Sequence, residues 1–384
     1  MPPERKLQWI ELSQNALSNN IRSLNKLAPN KMLAVCVKAN AYGHGISEIV
    51  TMLIDNPLVE YLTVHSMREA IRCRRAGWRK KIMLLGPVEL CDSDAVLEFD
   101  IEPVVFNTEF LENIGKTADK FNRTVRTHLK LETGTNRQGI NETDIPKFAK
   151  AYKKYKSLQA PYGASTHFAN IEDTTNHDYA DYQLGEFNRL VKILEKNNIK
   201  PDILHTASSA ATILFNKTHF DLVRPGISVY GYWPSKETFV SSKTENGGND
   251  LFQPVLKWKT RVTQIKKLEH DAFIGYGCTY QTTSKSKIAI IPVGYYDGYS
   301  RRLSNQAYVL VNGKRAPIRG RICMNISMID ITDIQKVKLE NEVTLLGSDN
   351  EEQISADRLA MWDQSINYEI LSRLSSETYR MIVP

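Results

Sequence analysis

The 384-residue chain contains no apolar run approaching the ~20 residues a membrane-spanning helix requires, which excludes an integral membrane protein. No apolar stretch follows the start MPPERKLQWIEL, so no secretory leader is visible and the cytoplasm is the expected compartment. Cysteine is sparse: Cys36, Cys73, Cys91, Cys278 and Cys323 are odd in number, irregularly spaced and without a CxxC pair. That speaks against a disulfide framework or a structural metal site and fits reduced thiols in a cytoplasmic protein. Neither sign of charge dominates, with 50 Lys and Arg against 43 Asp and Glu and a net charge of +7. The one dense basic run, RCRRAGWRKK at 72–81, reads as the solvated end of a helix; a polyanion site is the alternative, with no aromatic ladder or zinc spacing to support it. Nucleic acid and membrane are therefore not expected partners. Internal repeats and low-complexity tracts are absent as well.

What is present is an alternation. Short β-rich apolar runs occur at MLAVCV (32–37), YLTVHS (61–66), KIMLLG (81–86), IEPVVF (101–106), VRTHLKL (125–131), APYGAST (160–166), DILHTA (202–207) and HFDLVR (219–224). Helix-sized segments separate them, among them 45–55, 66–77, 107–122 and 181–198; the last carries Leu184, Phe187, Leu190, Val191 and Leu194 at helical spacing. Eight strand–helix units over about 230 residues predict an α/β fold, a (β/α)8 TIM-type barrel. After residue 233 the texture changes. SKETFVSSKTENGGND (235–250) reads as a polar loop, and closely spaced strand signals follow at 255–268, 287–295, 306–320, 326–332 and 341–347. The Asn312-Gly313 pair marks a hairpin. The expected organisation is a barrel over 1–240 and a mainly antiparallel β domain over 241–384, with about the first 10 residues packing on the β domain.

Active sites in such barrels lie at the C-terminal ends of the strands. Lys38 ends the first strand, His128 and Lys130 lie in the fifth with Arg137 in its loop, and His167 ends the sixth. Ser208 and Ser209 follow the seventh, and Arg224, Gly226 and Ile227 follow the eighth. A lysine entering a barrel mouth from an apolar strand is partly desolvated and available as a nucleophile; from position alone it also reads as a lysine snorkelling at a strand end. The loops after strands seven and eight often bind phosphate in this fold, and small residues there let backbone N–H groups approach the oxygens.

KANAYGHG (38–45) resembles the signature of the alanine racemases, fold-type III enzymes that use pyridoxal 5'-phosphate (PLP). The resemblance continues, in the family's order, through LKLETGTNRQG (129–139), STHFAN (165–170), HTASSAAT (205–212), VRPGISVYG (223–231), GYGCTY (275–280), IPVGYYDGY (291–299), GRICMN (320–325) and INYEIL (366–371). It implies that Lys38 is the Schiff-base lysine and the base on one face of Cα. Arg224 is the implied partner of the pyridine nitrogen; because an arginine keeps its proton, that nitrogen stays unprotonated. Tyr42, Ser208, Ser209, Gly226, Ile227 and Tyr368 are the implied phosphate and cofactor residues. Tyr276, from the β domain of a second subunit, is the implied base on the opposite face, aided by His167 and Arg224, since an ordinary tyrosine loses its proton only near pH 10. Two bases on opposite faces meet the need of racemisation, and sharing them requires a homodimer. Arg137 and Met324 are implied for the substrate carboxylate, Lys130 as a carbamylated lysine orienting Arg137, and Tyr295 and Arg321 at the entrance. Read without the resemblance, Met324, Tyr42, Tyr295 and Tyr368 are ordinary core residues, His167 a structural histidine, and Lys130 an unmodified partner of Glu132.

The sequence departs from the family pattern at Asn325, where an acid is common, at Tyr296, where a small residue is common, and at Thr135, Asn136 and Ser208. The implied activity is interconversion of L- and D-alanine, with a role in supplying D-alanine for peptidoglycan. Serine or another small amino acid is the alternative substrate. A PLP carrier without activity and a fold-type III decarboxylase are the other readings; Tyr276 weighs against the first and Arg224 against the second.

Overall fold

The structure is a computed structural model that describes residues 6–158, 161–173, 175–245 and 251–384. The chain divides into two compact units, one of Leu17–Ala39 and Ile49–Gln253, the other of Met1–Ala16, Asn40–Glu48 and Pro254–Pro384. Among the described residues no helix is long and apolar enough to cross a membrane.

The first unit holds eight parallel strands: Met32–Cys36, Tyr61–Val64, Lys81–Leu84, Glu102–Val105, His128–Lys130, Gly163–Ser165, Ile203–His205 and Leu222–Val223. They pair in sequence order, and the eighth pairs with the first. The seam between seventh and eighth is joined by Asp221 N–H to Leu204 C=O at 3.0 Å and Arg224 N–H to Ala207 C=O at 2.9 Å. All eight runs expected from the sequence form strands of this nearly closed TIM-like barrel; Ala160, the first residue of the sixth run, lies outside the described residues. The barrel interior is filled by side chains rather than solvent. Ala34, Tyr61, Met83, Val104, Ile203 and Leu222 pack into one such buried cluster.

Helices between the strands begin where the sequence offers caps. Asn107 Oδ1 accepts Phe110 N–H at 2.8 Å to open Thr108–Lys120. Ser66 and Glu69 form a reciprocal capping box at Met67–Arg75. The basic run after this helix is only partly a solvated face. Arg75 and Arg79 are exposed, but Arg74 donates to the carbonyls of Phe99, Trp78, Lys80 and Asp100, and Lys80 Nζ donates to those of Asn56 and Val59. The loop expected at 235–250 is instead a helix over Lys236–Glu245. Ser235 Oγ caps it by accepting Thr238 N–H at 3.0 Å, and Phe239 anchors it edge-on against Trp233, so one aromatic contact orders a segment whose composition is polar. Residues 246–250 of that stretch lie outside the described residues.

The second unit is mainly antiparallel. Its larger sheet runs Lys314–Pro317, Tyr308–Val311, Glu342–Asp349, Leu256–Arg261, Gln8–Ser13 and Tyr379–Val383, with Glu352–Ile354 added on Glu342–Asp349. Gln8–Ser13 is antiparallel to Leu256–Arg261 and parallel to Tyr379–Val383. A three-stranded sheet holds Gln264–Leu268, Ser286–Ile291 and Ser327–Asp330. The single run at 255–268 is thus two strands in two sheets. At the corner, Val262 N–H turns to Asn341 C=O and Thr263 N–H to Ile290 C=O, which replaces a turn motif with long-range backbone bonds.

Candidate active site

The C-terminal ends of the barrel strands carry the residues expected there. Lys38 follows the first strand, Lys130 closes the fifth, His167 comes two residues after the sixth, Ser208 and Ser209 follow the seventh, and Arg224 directly follows the eighth. Burial first, and then the cations of Lys130, Arg224, Arg137 and Lys38, hold the His167 imidazole well below its ordinary value. Four basic side chains therefore act on one neutral histidine at this rim. Lys130 is depressed in the same way, by desolvation first and then by Arg224 and Arg137.

Arg224 is buried among carbonyls. Nη1 donates to His205 C=O at 2.7 Å and meets His205 Nδ1 at 2.5 Å, while Nη2 donates to Thr166 C=O at 2.9 Å and Thr206 C=O at 3.3 Å. Its Nε–H finds no acceptor among the described residues. Burial lowers the guanidinium to about 10, so it remains a cation at neutral pH. His205, singled out by nothing in the strand pattern, is the ring that touches Arg224. It lies inside HTASSAAT, and its inward position on a barrel strand was the available signal.

After Lys38 the backbone takes an unusual path. In the turn Lys38–Tyr42 the residues Ala39, Asn40, Ala41 and Tyr42 all have φ between +51° and +55°. A left-handed turn of non-glycine residues costs about 1–2 kcal/mol per residue, so it must be held. At its start Glu69 Oε1 accepts Ala39 N–H at 2.7 Å. Further on, Asn40 C=O accepts Gly45 N–H, and Asn40 Oδ1 accepts Ile46 N–H at 3.2 Å. Gly43 is required next: a Cβ there would lie 1.8 Å from Leu371 O. Within the same unit Tyr42 faces Tyr368, with ring centroids 6.1 Å apart.

The loops after strands five and six are tied together by Gln183, which is fully buried. Its Oε1 accepts Ala169 N–H at 2.8 Å, and its Nε2 lies 3.3 Å from Thr133 Oγ1, Thr135 Oγ1 and His167 O. Thr135 Oγ also donates to His167 C=O. The departure to Thr135 thus adds a bond between the Arg137 and His167 loops. Asn136 occupies φ +53°, a region asparagine tolerates better than most residues, which lets it stand where glycine is common. Arg137 itself is exposed, and its loop is shaped by Glu132, whose carboxylate accepts the N–H groups of Gly134, Asn136 and Arg137.

Between strand seven and strand eight, Ser209 Oγ accepts Gly226 N–H at 2.9 Å and Ser228 N–H at 3.4 Å. Ser208 precedes the helix Ser209–Leu214 without spending its side chain on a cap. In the other unit, Tyr276, Tyr295 and Met324 are exposed, Tyr276 by 72%. They share one surface. Tyr295 N–H donates to Cys323 C=O and Tyr296 N–H to Met324 C=O, and the Cβ position of Gly277 lies 3.0 Å from Arg321 Nη1.

Comparison with known proteins identifies the group. Residues 12–234 match the family model "Alanine racemase, N-terminal domain", and 255–382 match "Alanine racemase, C-terminal domain". The alanine racemase of Leptospira interrogans is 36% identical over 377 residues, covering 98% of this chain and 95% of that protein. That of Clostridium novyi is 36% identical over 378 residues, with the same coverage. The crystal structure of alanine racemase from Bacillus anthracis with bound L-Ala-P superposes with a TM-score of 0.91 at 32% identity, covering 99% of this chain and 95% of that one. With both halves matched and the fold shared end to end, this chain belongs to the alanine racemase family and is an isomerase, an amino-acid racemase.

Proposed function

We propose that the enzyme interconverts L- and D-alanine with PLP as cofactor, acting as a cytoplasmic homodimer that supplies D-alanine for peptidoglycan. The observation that carries the cofactor reading is Arg224. Both of its Nη groups are committed to the protein, and its Nε–H remains available as a donor that cannot give up its proton at neutral pH. A pyridine nitrogen is the acceptor this suits. Among the described residues the N–H groups of Ser209 and Ile227 likewise find no acceptor, which suits phosphate oxygens. Lys38, Arg224, Ser208, Ser209, Gly226 and Ile227 would hold the cofactor, with Tyr42 and Tyr368 at its phosphate. When bound, PLP supplies a carbonyl for the substrate amine and a conjugated ring that spreads the electron pair left at Cα.

The chain's own residues do the rest. Lys38 Nζ takes or gives the Cα proton on one face, and the phenol oxygen of Tyr276 of the partner subunit does so on the other. Neutral His167, kept so by burial and the surrounding cations, can position that phenol through a hydrogen bond rather than take its proton. Arg137 and the backbone N–H of Met324 orient the substrate carboxylate, and Tyr295 and Arg321 line its approach. Lys130, whose amine is held neutral more readily than an ordinary lysine, can add carbon dioxide to give an N-carboxylate and release a proton, placing an anion beside Arg137. Serine is the second substrate to consider, since Asn325 stands where an acid is common and Tyr296, its hydroxyl donating to Glu377 at 3.2 Å, stands where a small residue is common.

The test is racemisation of L-alanine, L-serine and L-lysine offered separately to purified protein with PLP, read by chiral chromatography. The expected result is D-alanine formed fastest and lost in both Lys38→Ala and Tyr276→Phe. Full activity in either variant overturns the two-base reading, and faster D-serine overturns the substrate.

A further inference from the structure

Behind Arg224 a line of hydrogen bonds crosses the inside of the barrel. His205 Nδ1 lies 2.5 Å from Arg224 Nη1, His205 Nε2 lies 3.0 Å from His128 Nδ1, and His128 Nε2 lies 3.0 Å from Glu102 Oε2. Neither ring has exposed surface, and Glu102 retains 6%. Strand six makes room for the line: a Cβ at Gly163 would stand 2.1 Å from His128 Nδ1.

The direction of every bond follows from chemistry. A guanidinium has donors only, so His205 Nδ1 is bare. The proton of neutral His205 is then on Nε2 and is donated to His128 Nδ1, which is bare in turn. His128 carries its proton on Nε2 and donates it to the carboxylate. Glu102, an acceptor when ionised, demands the same order from the opposite end, so the two termini agree. The charges fit this assignment. Burial first, then Arg224, hold His205 well below its ordinary value. Burial pushes the Glu102 carboxyl up, but the His128 and Tyr61 bonds and nearby Lys81 outweigh it and leave it below the usual range. The other groups facing the line are Lys130 at His205, Tyr162 edge-on to His128 at 5.7 Å, and Tyr61 and Arg126 at Glu102, 3.0 Å and 3.6 Å away. Beyond Glu102 lies a cavity of about 430 Å³ at the N-terminal ends of strands four and five, bordered by Asp100, Arg123 and Arg126.

We infer that Glu102 and His128 are positioning residues of the racemase: through His205 in its Nε2–H form they fix the orientation of Arg224 from the far end of the barrel. The inference rests on the reading of Arg224 as the partner of the cofactor ring only for its effect on turnover; the tautomers stand apart from it.

The experiment is ¹⁵N NMR of histidine-labelled protein, without and with PLP, together with kinetics and the visible spectrum of the holoenzyme. The expected result is that His128 and His205 are both neutral, with Nε2 protonated and Nδ1 bare throughout the neutral range. Glu102→Leu, which removes the acceptor, mixes the tautomers of His128 while Arg224 still holds His205 Nδ1 bare, and lowers kcat about tenfold with KM changed less than about twofold; Glu102→Gln, which keeps an acceptor oxygen, restores the His128 tautomer and most of kcat. Gly163→Ala displaces the His128 ring without touching the carboxylate and reproduces the tautomer loss, so the test survives if Glu102→Leu does not fold. A cationic ring at either position, a proton on His205 Nδ1, or tautomers and kcat unmoved by Glu102→Leu overturns the inference. The expected tautomers combined with a PLP absorbance unchanged by Arg224→Lys supports the line and overturns instead the pairing of Arg224 with the cofactor.

Discussion

Glu69 Oε1 accepts the backbone N–H of Ala39 at 2.7 Å, on the residue directly after Lys38. The other oxygen of the same carboxylate accepts His65 N–H at 2.8 Å and Ser66 N–H at 3.3 Å, the second of these closing the capping box of Met67–Arg75. One side chain thus fixes a helix start on strand two and the onset of the left-handed turn on strand one. Charge-assisted hydrogen bonds contribute about 1.5–3 kcal/mol each and a lost cap about 1 kcal/mol. Glu69→Ala is therefore expected to lower stability by about 2–4 kcal/mol and to reduce kcat by misplacing Lys38, whereas Glu69→Gln, which keeps one acceptor oxygen, loses less than half as much. Urea denaturation and steady-state kinetics on the three proteins check this; an alanine variant as stable and active as the parent would show that the turn holds itself.

How far the fold was legible follows from the kind of signal each element carries. The barrel strands are buried on both faces, so they appear as near-continuous apolar runs that length alone separates from helices. The left-handed turn was hidden because Asn40 is the one residue of KANAY with turn chemistry; the turn is held also by Glu69, thirty residues away, and by the space Gly43 leaves for Leu371. The corner at Val262 and Thr263 contains neither glycine nor proline, so the two strands read as one. For the site, the rim residues were legible because a barrel sends its strand ends to one face. Glu102, His128 and His205 became a line only through register, since each is one polar residue in an apolar strand and the sequence does not say which neighbours it meets. Gln183 was hidden in an otherwise ordinary amphipathic helix.

Acid should unfold this protein through its histidines. Burial first, then charged neighbours, hold His167 and His205 well below 6.5, and burial lowers His44 to about 3. Below pH 6.5 the unfolded chain binds protons at these positions that the folded chain refuses. Their contribution is thus fully present above that value and is lost as pH falls below it. Each group adds a slope of about 1.4 kcal/mol per pH unit, giving a limit of about 4 for the three. Urea midpoints of the cofactor-free protein should fall steadily from about pH 6.5 to 5, and His44→Gln should remove about a third of the histidine slope. A midpoint flat across that range would mean that these imidazoles are charged when folded.

The exposure of Tyr276, at 72%, together with exposed Tyr295, Tyr296 and Met324 on the same surface, leaves four large side chains in water on one protomer. Such a patch is what an isologous dimer covers, and the proposed chemistry needs Tyr276 to serve a neighbour's Lys38. Subunit mixing tests this without a structure. Lys38→Ala and Tyr276→Phe homodimers are each expected to be inactive. Mixed after reversible dissociation, half of the dimers should be hybrids. In a hybrid one site combines both defects, and the other combines the intact Lys38 of the Tyr276→Phe chain with the intact Tyr276 of the Lys38→Ala chain. Activity should therefore return to about a quarter of the parent value. If each site instead used the lysine and tyrosine of a single chain, no hybrid would contain a complete site, and the mixture would stay as inactive as its components.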